Sequence, residues 1–123
     1  AIDEASDAGL SVERHSLFDL HEMTGGMPAF DLTFTCGVLI HISQSDLPRA
    51  MDEIIASSKR YVLAVEYADE TEVEVQYRGH AERLWRRPFG RLYEQRGLKV
   101  AAEFDAPAEA FDRCRAWLLC KGD

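Results

Sequence analysis

The chain reads as an α/β protein: a parallel βαβ unit, then a helix, then an antiparallel closing strand pair. Three observations predict this. Two almost continuously apolar runs, FDLTFTC at 30–36 and RYVLAVEY at 60–67, have the composition of buried strands. The stretch between them repeats its apolar residues at helical spacing. The last two runs, LKVAAEF at 98–104 and RAWLLC at 115–120, are joined by a link too short for another crossover, which suits antiparallel pairing.

In chain order, residues 1–8 read as the tail of a helix stopped by Gly9, and LSVERH at 10–15 as a short strand. HEMTGGMPA at 21–29 carries a glycine pair and a proline and reads as a loop. The run FDLTFTCGVLIHIS at 30–43 lacks period-2 alternation, so a strand buried on both faces is expected, with Cys36, Gly37 and His41 at its end. Ser43 or Ser45 can cap the next helix, and Pro48 falls in its first turn, where a missing N–H costs little. Leu47, Met51, Ile54, Ile55 and Ser58 make its apolar stripe, and Lys59 and Arg60 suit its C-terminal dipole. Strand, helix and strand over 30–67 form a βαβ unit, which makes the two strands parallel. Residues 68–80 are acidic and then polar, an extended loop or edge segment. A second amphipathic helix is expected from near Pro88 to Gly97, with Phe89, Leu92 and Tyr93 inward.

The 123 residues suffice for one domain. With 22 acidic against 14 basic residues the net charge is −8, which argues against a nucleic-acid binder and against adhesion to anionic membrane. No apolar run has the length of a transmembrane helix, and AIDEASDAGL lacks the basic and apolar regions of a secretory signal. Cys36, Cys114 and Cys120 are an odd set without metal-like spacing, which fits a reducing compartment. A cytoplasmic location is therefore expected. His15 and His21 lack a third ligand, so no metal site is expected.

In open α/β sheets, ligands bind at the carboxyl ends of the parallel strands. Residues 15–20, 35–43, 66–70 and 77–80 would gather there. Tyr77, Arg78 and His80 surround Gly79 in a loop of recognition-type side chains. Arg83, Arg86, Arg87 and Arg91 could meet an anionic or carboxylate-bearing substrate, or face solvent at a helix start. Glu66 could orient a polar acceptor or lie on the surface. Trp85 and Trp117 read as core. Cys36 and His41 could act as nucleophile and base, but no acid partner or oxyanion geometry is legible, so a buried, inert thiol is the preferred reading.

The segments carrying Phe30-Asp31-Leu32, Val38-Leu39-Ile40-His41 and YVLAVEY, in this order and followed by a helix and two strands, resemble the C-terminal half of a class I S-adenosylmethionine-dependent methyltransferase. More narrowly, EYADETEVEVQYRGHAERLWRRPFG resembles the methylases associated with pseudaminic acid biosynthesis. The resemblance implies S-adenosylmethionine as cofactor, with Ser16 and Leu17 beside its adenine, Cys36 and Gly37 beside its methionine part, and Leu39 against it. It implies His41, Tyr67, Tyr77, Arg78 and His80 facing a small-molecule methyl acceptor, with His80 or Tyr77 taking up a proton. The narrower string implies a sugar or amino-sugar precursor of surface glycans. Orientation supplies much of the rate in such a transfer.

The first strand of that fold, its Gly-rich turn and the acidic end of its second strand have no counterpart in these residues. Gly25-Gly26 follows no buried strand, and Asp3 and Glu4 fall in a helical segment. The expected fold is thus a truncated Rossmann-like methyltransferase sheet lacking its first two strands, a single partial domain over residues 1–123. Alone, it should bind the cofactor poorly or not at all. Its 30–36 strand would become an apolar edge, a pairing hazard through which a homodimer could form. The alternative is a non-catalytic α/β binding or assembly module that uses this edge.

Overall fold

The structure is a computed structural model that describes residue 9 and residues 14–76, 83–107 and 113–122. The expected helix at 1–8 lies outside the described residues, as do residues 10–13 of the expected first strand; Arg14 and His15 are not in a strand.

Among the described residues the main sheet has four strands: β1 (Phe30–Cys36), β2 (Ser58–Tyr67), β5 (Leu98–Asp105) and β6 (Cys114–Lys121). Their order is β1-β2-β6-β5. β1 and β2 run parallel, while β2–β6 and β5–β6 are antiparallel. This is the architecture that the apolar runs predict. Two further strands, β3 (Val73–Gln76) and β4 (Arg83–Arg86), pair antiparallel as a separate small sheet, where an extended loop or edge segment was expected over 68–80. Val73 and Val75 are half-buried and alternate with exposed Glu74 and Gln76, the pattern of a half-covered strand. The small sheet hangs from the end of β2 by an Ala68–Arg87 bridge.

Among the described residues three helices accompany the sheet: α1 (Leu20–Thr24), α2 (Leu47–Ser57) and α3 (Phe89–Glu94). α1 occupies part of the expected 21–29 loop and stops at Gly25, whose φ of 69° is left-handed and open to glycine. α2 buries Leu47, Met51 and Ile54 of the expected stripe and Ala50 beside them, while Ile55 is half-buried. Neither Ser43 nor Ser45 caps it; Asp46 holds the N-cap position, and Ser43 donates to the Asp46 carboxylate at 3.0 Å. The helix ends at Ser57, and Ser58, Lys59 and Arg60 already belong to β2. The Ser58 hydroxyl donates to the Tyr61 carbonyl at 2.6 Å and accepts from the Arg60 N–H, which extends the chain into the strand. α3 is shorter than expected, and a turn at residues 95–97 follows it.

The core lies on one face of the main sheet. Val62 and Ala64 of β2 stand beside Leu119 and Trp117 of β6, and Met51, Ile54, Phe89 and Tyr93 of the helices pack over them. β1 is not buried on both faces. It is an edge strand in which only Thr35 is fully buried, while Phe30, Leu32 and Phe34 are 42%, 43% and 64% exposed. The physical reason is alternation. Thr33 and Thr35 turn toward the helices, where Thr33 and Ser57 hydroxyls lie 2.9 Å apart. The apolar residues turn to a face that no described helix covers, and no described strand pairs with the outer edge. No described helix is long and apolar enough to cross a membrane.

Candidate functional site

β1 ends in a tight turn. Gly37 takes a φ of 64°, and its N–H donates to the Val65 carbonyl at 2.9 Å, which keeps the turn beside β2. Leu39–His41 then forms one 3₁₀ turn, pinned by buried Leu39 and Ile40, with His41 exposed.

Two buried charged side chains grip this turn. Glu66, fully buried near the end of β2, accepts from the Thr35 hydroxyl at 2.7 Å and from the Ile40 N–H at 3.3 Å. Burial pushes its carboxyl pKa up, although the Thr35 hydroxyl and the N–H groups of residues 38–40 pull the other way. Arg87, also fully buried, donates from Nη1 to the Leu39 carbonyl at 2.9 Å and from Nε to Glu72 at 2.5 Å. Its guanidinium lies 4.9 Å from the centre of the Trp85 ring. One carboxylate thus collects N–H groups of the turn while one guanidinium holds a carbonyl of it. Glu66 is not on the surface and is engaged by the turn, and Arg87 faces not solvent but the Glu72 carboxylate of the chain itself. The sequence offered weak signals for both: a glutamate ending an apolar strand, and an arginine between Arg86 and Pro88.

Cys36 is exposed rather than buried. Partial desolvation and the neighbouring Glu66 carboxylate push its thiol pKa up, away from the thiolate that a nucleophile needs. That removes the support for reading Cys36 and His41 as nucleophile and base and leaves an unactivated thiol.

Ser16 caps a 3₁₀ turn at Leu17–Asp19 by accepting from the Phe18 N–H at 3.2 Å. Arg49 of α2 anchors this turn, donating to the Phe18 carbonyl at 3.2 Å and to Asp19 at 3.0 Å. His21 Nδ1 lies 2.5 Å from Glu53, whose carboxylate pushes the imidazole pKa up. Ser16 and Leu17 are therefore positioned through α2, whereas Cys36, Gly37, Leu39 and Tyr67 meet at the carboxyl ends of β1 and β2. Tyr77, Arg78 and His80 lie outside the described residues.

Two hollows open near these ends. One, of about 370 Å³, is lined by Tyr67, Ala68, Val75, Leu84, Arg86 and Arg113. The other, of about 710 Å³, lies between α3 and the β5–β6 pair. In the larger one, Glu103 accepts from Trp117 Nε1 at 2.6 Å and pairs with Arg115 at 3.2 Å, bonds that hold its carboxyl pKa below the usual range.

No protein-family model matches the chain, and no curated protein matches it in sequence. Solved structures do match in fold. The 1,6-didemethyltoxoflavin-N1-methyltransferase of Burkholderia thailandensis, with bound 1,6-didemethyltoxoflavin and S-adenosylhomocysteine, is similar at a TM-score of 0.78 and 14% identity, over 99% of this chain and 56% of that one. The mitomycin 7-O-methyltransferase is similar at 0.67 and 17% identity, over 99% of this chain and 38% of that one. The magnesium protoporphyrin IX methyltransferase of Synechocystis PCC 6803, with bound S-adenosylhomocysteine, is similar at 0.67 and 10% identity, over 99% and 58%. The chain thus carries part of a methyltransferase fold and spans about half the length of these proteins, from 38% to 58%.

Proposed function

We propose that the chain supplies the acceptor-side part of an S-adenosylmethionine-dependent methyltransferase acting on a small molecule, as a single partial domain. The observation that carries this reading is the sheet: its order β1-β2-β6-β5, with one parallel and two antiparallel pairings, matches methyltransferase folds over nearly the whole chain. The turn after β1 also suits a ligand. Nothing lies within 4 Å of where a Cβ on Gly37 would stand, so a bound molecule could approach the backbone there. In this reading Cys36, Gly37 and Leu39 hold the methionine side of S-adenosylmethionine, and Ser16 and Leu17 its adenine. Bound there, it supplies an electrophilic methyl group. His41, Tyr67 and Arg78 position the acceptor, and His80 or Tyr77 takes up the proton that the acceptor loses. A sugar or amino-sugar precursor of surface glycans as acceptor rests on the residue string from Glu66 to Gly90 alone.

The test is a titration with S-adenosylhomocysteine of the polypeptide translated from the whole reading frame that contains these residues. Saturable binding, weakened by Gly37→Asn, a residue type that tolerates the left-handed backbone of this turn, without a matching loss of folded protein, is expected. Absence of binding overturns the reading. Residues 1–123 alone should bind far more weakly, because no Gly-rich phosphate-type turn or acidic strand end is among them.

One observation favours a second reading, an assembly module that pairs through β1: the exposed Phe30, Leu32 and Phe34 on an unpaired edge strand. Sedimentation velocity separates the two. A concentration-dependent dimer that Phe34→Lys dissolves, in a protein that binds no S-adenosylhomocysteine, would favour the module.

A further inference from the structure

We infer that the hollow at the carboxyl end of β2 is an acceptor pocket that selects a small molecule bearing an anionic group, a carboxylate or a phosphate. What the bound molecule is for rests on the methyltransferase reading; that the pocket takes an anion rests on the pocket itself. Its volume, about 370 Å³, falls within the range of small-molecule sites.

The pocket follows from how the β3–β4 sheet is attached. The Ala68–Arg87 bridge, with the Arg87 N–H donating to the Tyr67 carbonyl at 3.4 Å, sets that sheet against the end of β2. Val75 and Leu84, direct partners across β3–β4, form an apolar wall. Arg86 follows two residues after Leu84, so strand alternation puts it on the same side. From the other direction comes Arg113, just before β6, whose first residue Cys114 pairs with Tyr67. The hollow therefore has an aromatic ring, two aliphatic side chains and two guanidinium groups. No carboxylate is among the described residues that line it, in a chain whose net charge is −8.

Two details sharpen the assignment. Arg113 has a φ of 63°, the one positive value at a non-glycine among the described residues. An arginine held in the left-handed region is strained, and such strain collects at ligand sites. Arg86 meets the Asp69 carboxylate at 3.5 Å, in a pair whose side chains are 47% and 33% exposed. A pair that open to water is weak, so an incoming anion can compete with Asp69 for the guanidinium.

The position suits an acceptor. Cys36 is the register partner of Val65, and Tyr67 lies two residues further on. With strands about 4.8 Å apart and a rise of about 3.3 Å per residue, the Cα atoms of Tyr67 and Cys36 stand about 8 Å apart. A molecule of a few rings, anchored by its anion at Arg86 and Arg113 with a ring against Tyr67, can span that distance.

The experiment is an amide chemical-shift titration of the chain with benzoate, phenyl phosphate and the neutral benzamide. Benzoate or phenyl phosphate should shift Tyr67, Leu84 and Arg86 saturably, with benzamide at least about tenfold weaker, since charge-assisted pairing is the main attraction. Arg86→Gln and Arg113→Gly should each weaken anion binding about fivefold or more; glycine tolerates the left-handed backbone, so the second variant keeps the turn. Asp69→Asn should tighten binding about twofold by removing the competing charge, while its side-chain oxygen can still accept from the Glu70 N–H, now at 2.8 Å. Tighter benzoate binding assigns a carboxylate, tighter phenyl phosphate binding a phosphate. Benzamide binding as tightly as the anions, or anion binding unchanged in the double arginine variant, overturns the inference. Anion binding here without S-adenosylhomocysteine binding by the full reading-frame polypeptide leaves the pocket standing and removes the methyltransferase reading. The opposite result removes the pocket alone.

Discussion

The two faces of the main sheet are made of similar residues and have opposite fates. On one, Val62, Ala64, Trp117 and Leu119 are at most 3% exposed beneath the helices. On the other, strand alternation places Leu32 and Phe34 of β1, Leu63 of β2, Leu118 of β6 and Phe104 of β5. There Leu32, Phe34 and Phe104 are 43%, 64% and 48% exposed, Leu63 and Leu118 are only half-buried, and burial is reached only by Val65 and Ala116 toward the carboxyl end of β2. An apolar run tells how a strand could be buried. What actually lies against each face decides whether it is. A sheet with two apolar faces has the composition of the middle layer of three, and the described residues provide two.

The contrast can be broken first at its strongest point. Phe89 is fully buried and meets Trp117 edge-on, with ring centroids 6.0 Å apart. Phe89→Ala should cost about 3–5 kcal/mol in urea unfolding, from lost transfer energy and the cavity left behind. Arg87→Met tests the grip on the turn after β1. It leaves the Leu39 carbonyl and Glu72 without their shared donor, and should cost about 2–3 kcal/mol, since Glu72 can recover part of its loss from water. Gly90→Ala comes next. A Cβ there would stand 2.6 Å from Trp117 Cδ1, and the indole is tied to Glu103, so the helix must move outward at a cost of about 1–3 kcal/mol in the same assay.

Most of the fold was legible in the sequence because its signals are local. The apolar stripe of Met51 and Ile54 and the runs that became β1, β2, β5 and β6 needed no knowledge of partners. The two-sidedness of β1 was legible in the alternation of Phe30, Leu32 and Phe34 with Asp31, Thr33 and Thr35 and was misread as a continuous apolar run; that its apolar side lies open was not legible, because it depends on a layer that the strand itself does not encode. The β3–β4 sheet was missed because its four-residue strands are as much charged and polar as apolar. At the candidate site, Cys36, Gly37 and Leu39 could be placed from the strand end and turn alone. Glu66 and Arg87 were misjudged because a charged side chain is assumed to seek water until its buried partners are known; here those partners are the Thr35 hydroxyl, the Glu72 carboxylate and backbone groups far away in the chain.

Glu66 yields a smaller effect, with a definite sign. Its folded pKa is raised above the ordinary 4.5, so the folded state favours the protonated carboxyl. That contribution to stability is fully present below the unfolded value and is lost as pH rises through the folded one. Glu66→Gln cannot ionise, and its amide can still accept from the turn and donate to the Thr35 hydroxyl. The gap in melting temperature between variant and parent should therefore move in favour of the variant as pH rises from about 4.5. A constant gap across that range would mean that the carboxyl is not desolvated and that the turn after β1 is held by other groups.

The smallest effect is expected on the open face, and it tests the whole comparison. Phe34 is 64% exposed, so its removal deletes little buried area. Phe34→Lys should change unfolding free energy by no more than about 0.5 kcal/mol, as surface substitutions do. Light scattering should show less self-association, because a lysine on an edge strand discourages pairing with another chain. If the same substitution instead cost as much as Phe89→Ala, the second face would be covered in solution, by another copy or by a further segment of polypeptide. The two faces would then differ only in which chain supplies their cover, and Phe34 would be a core residue of the assembled protein.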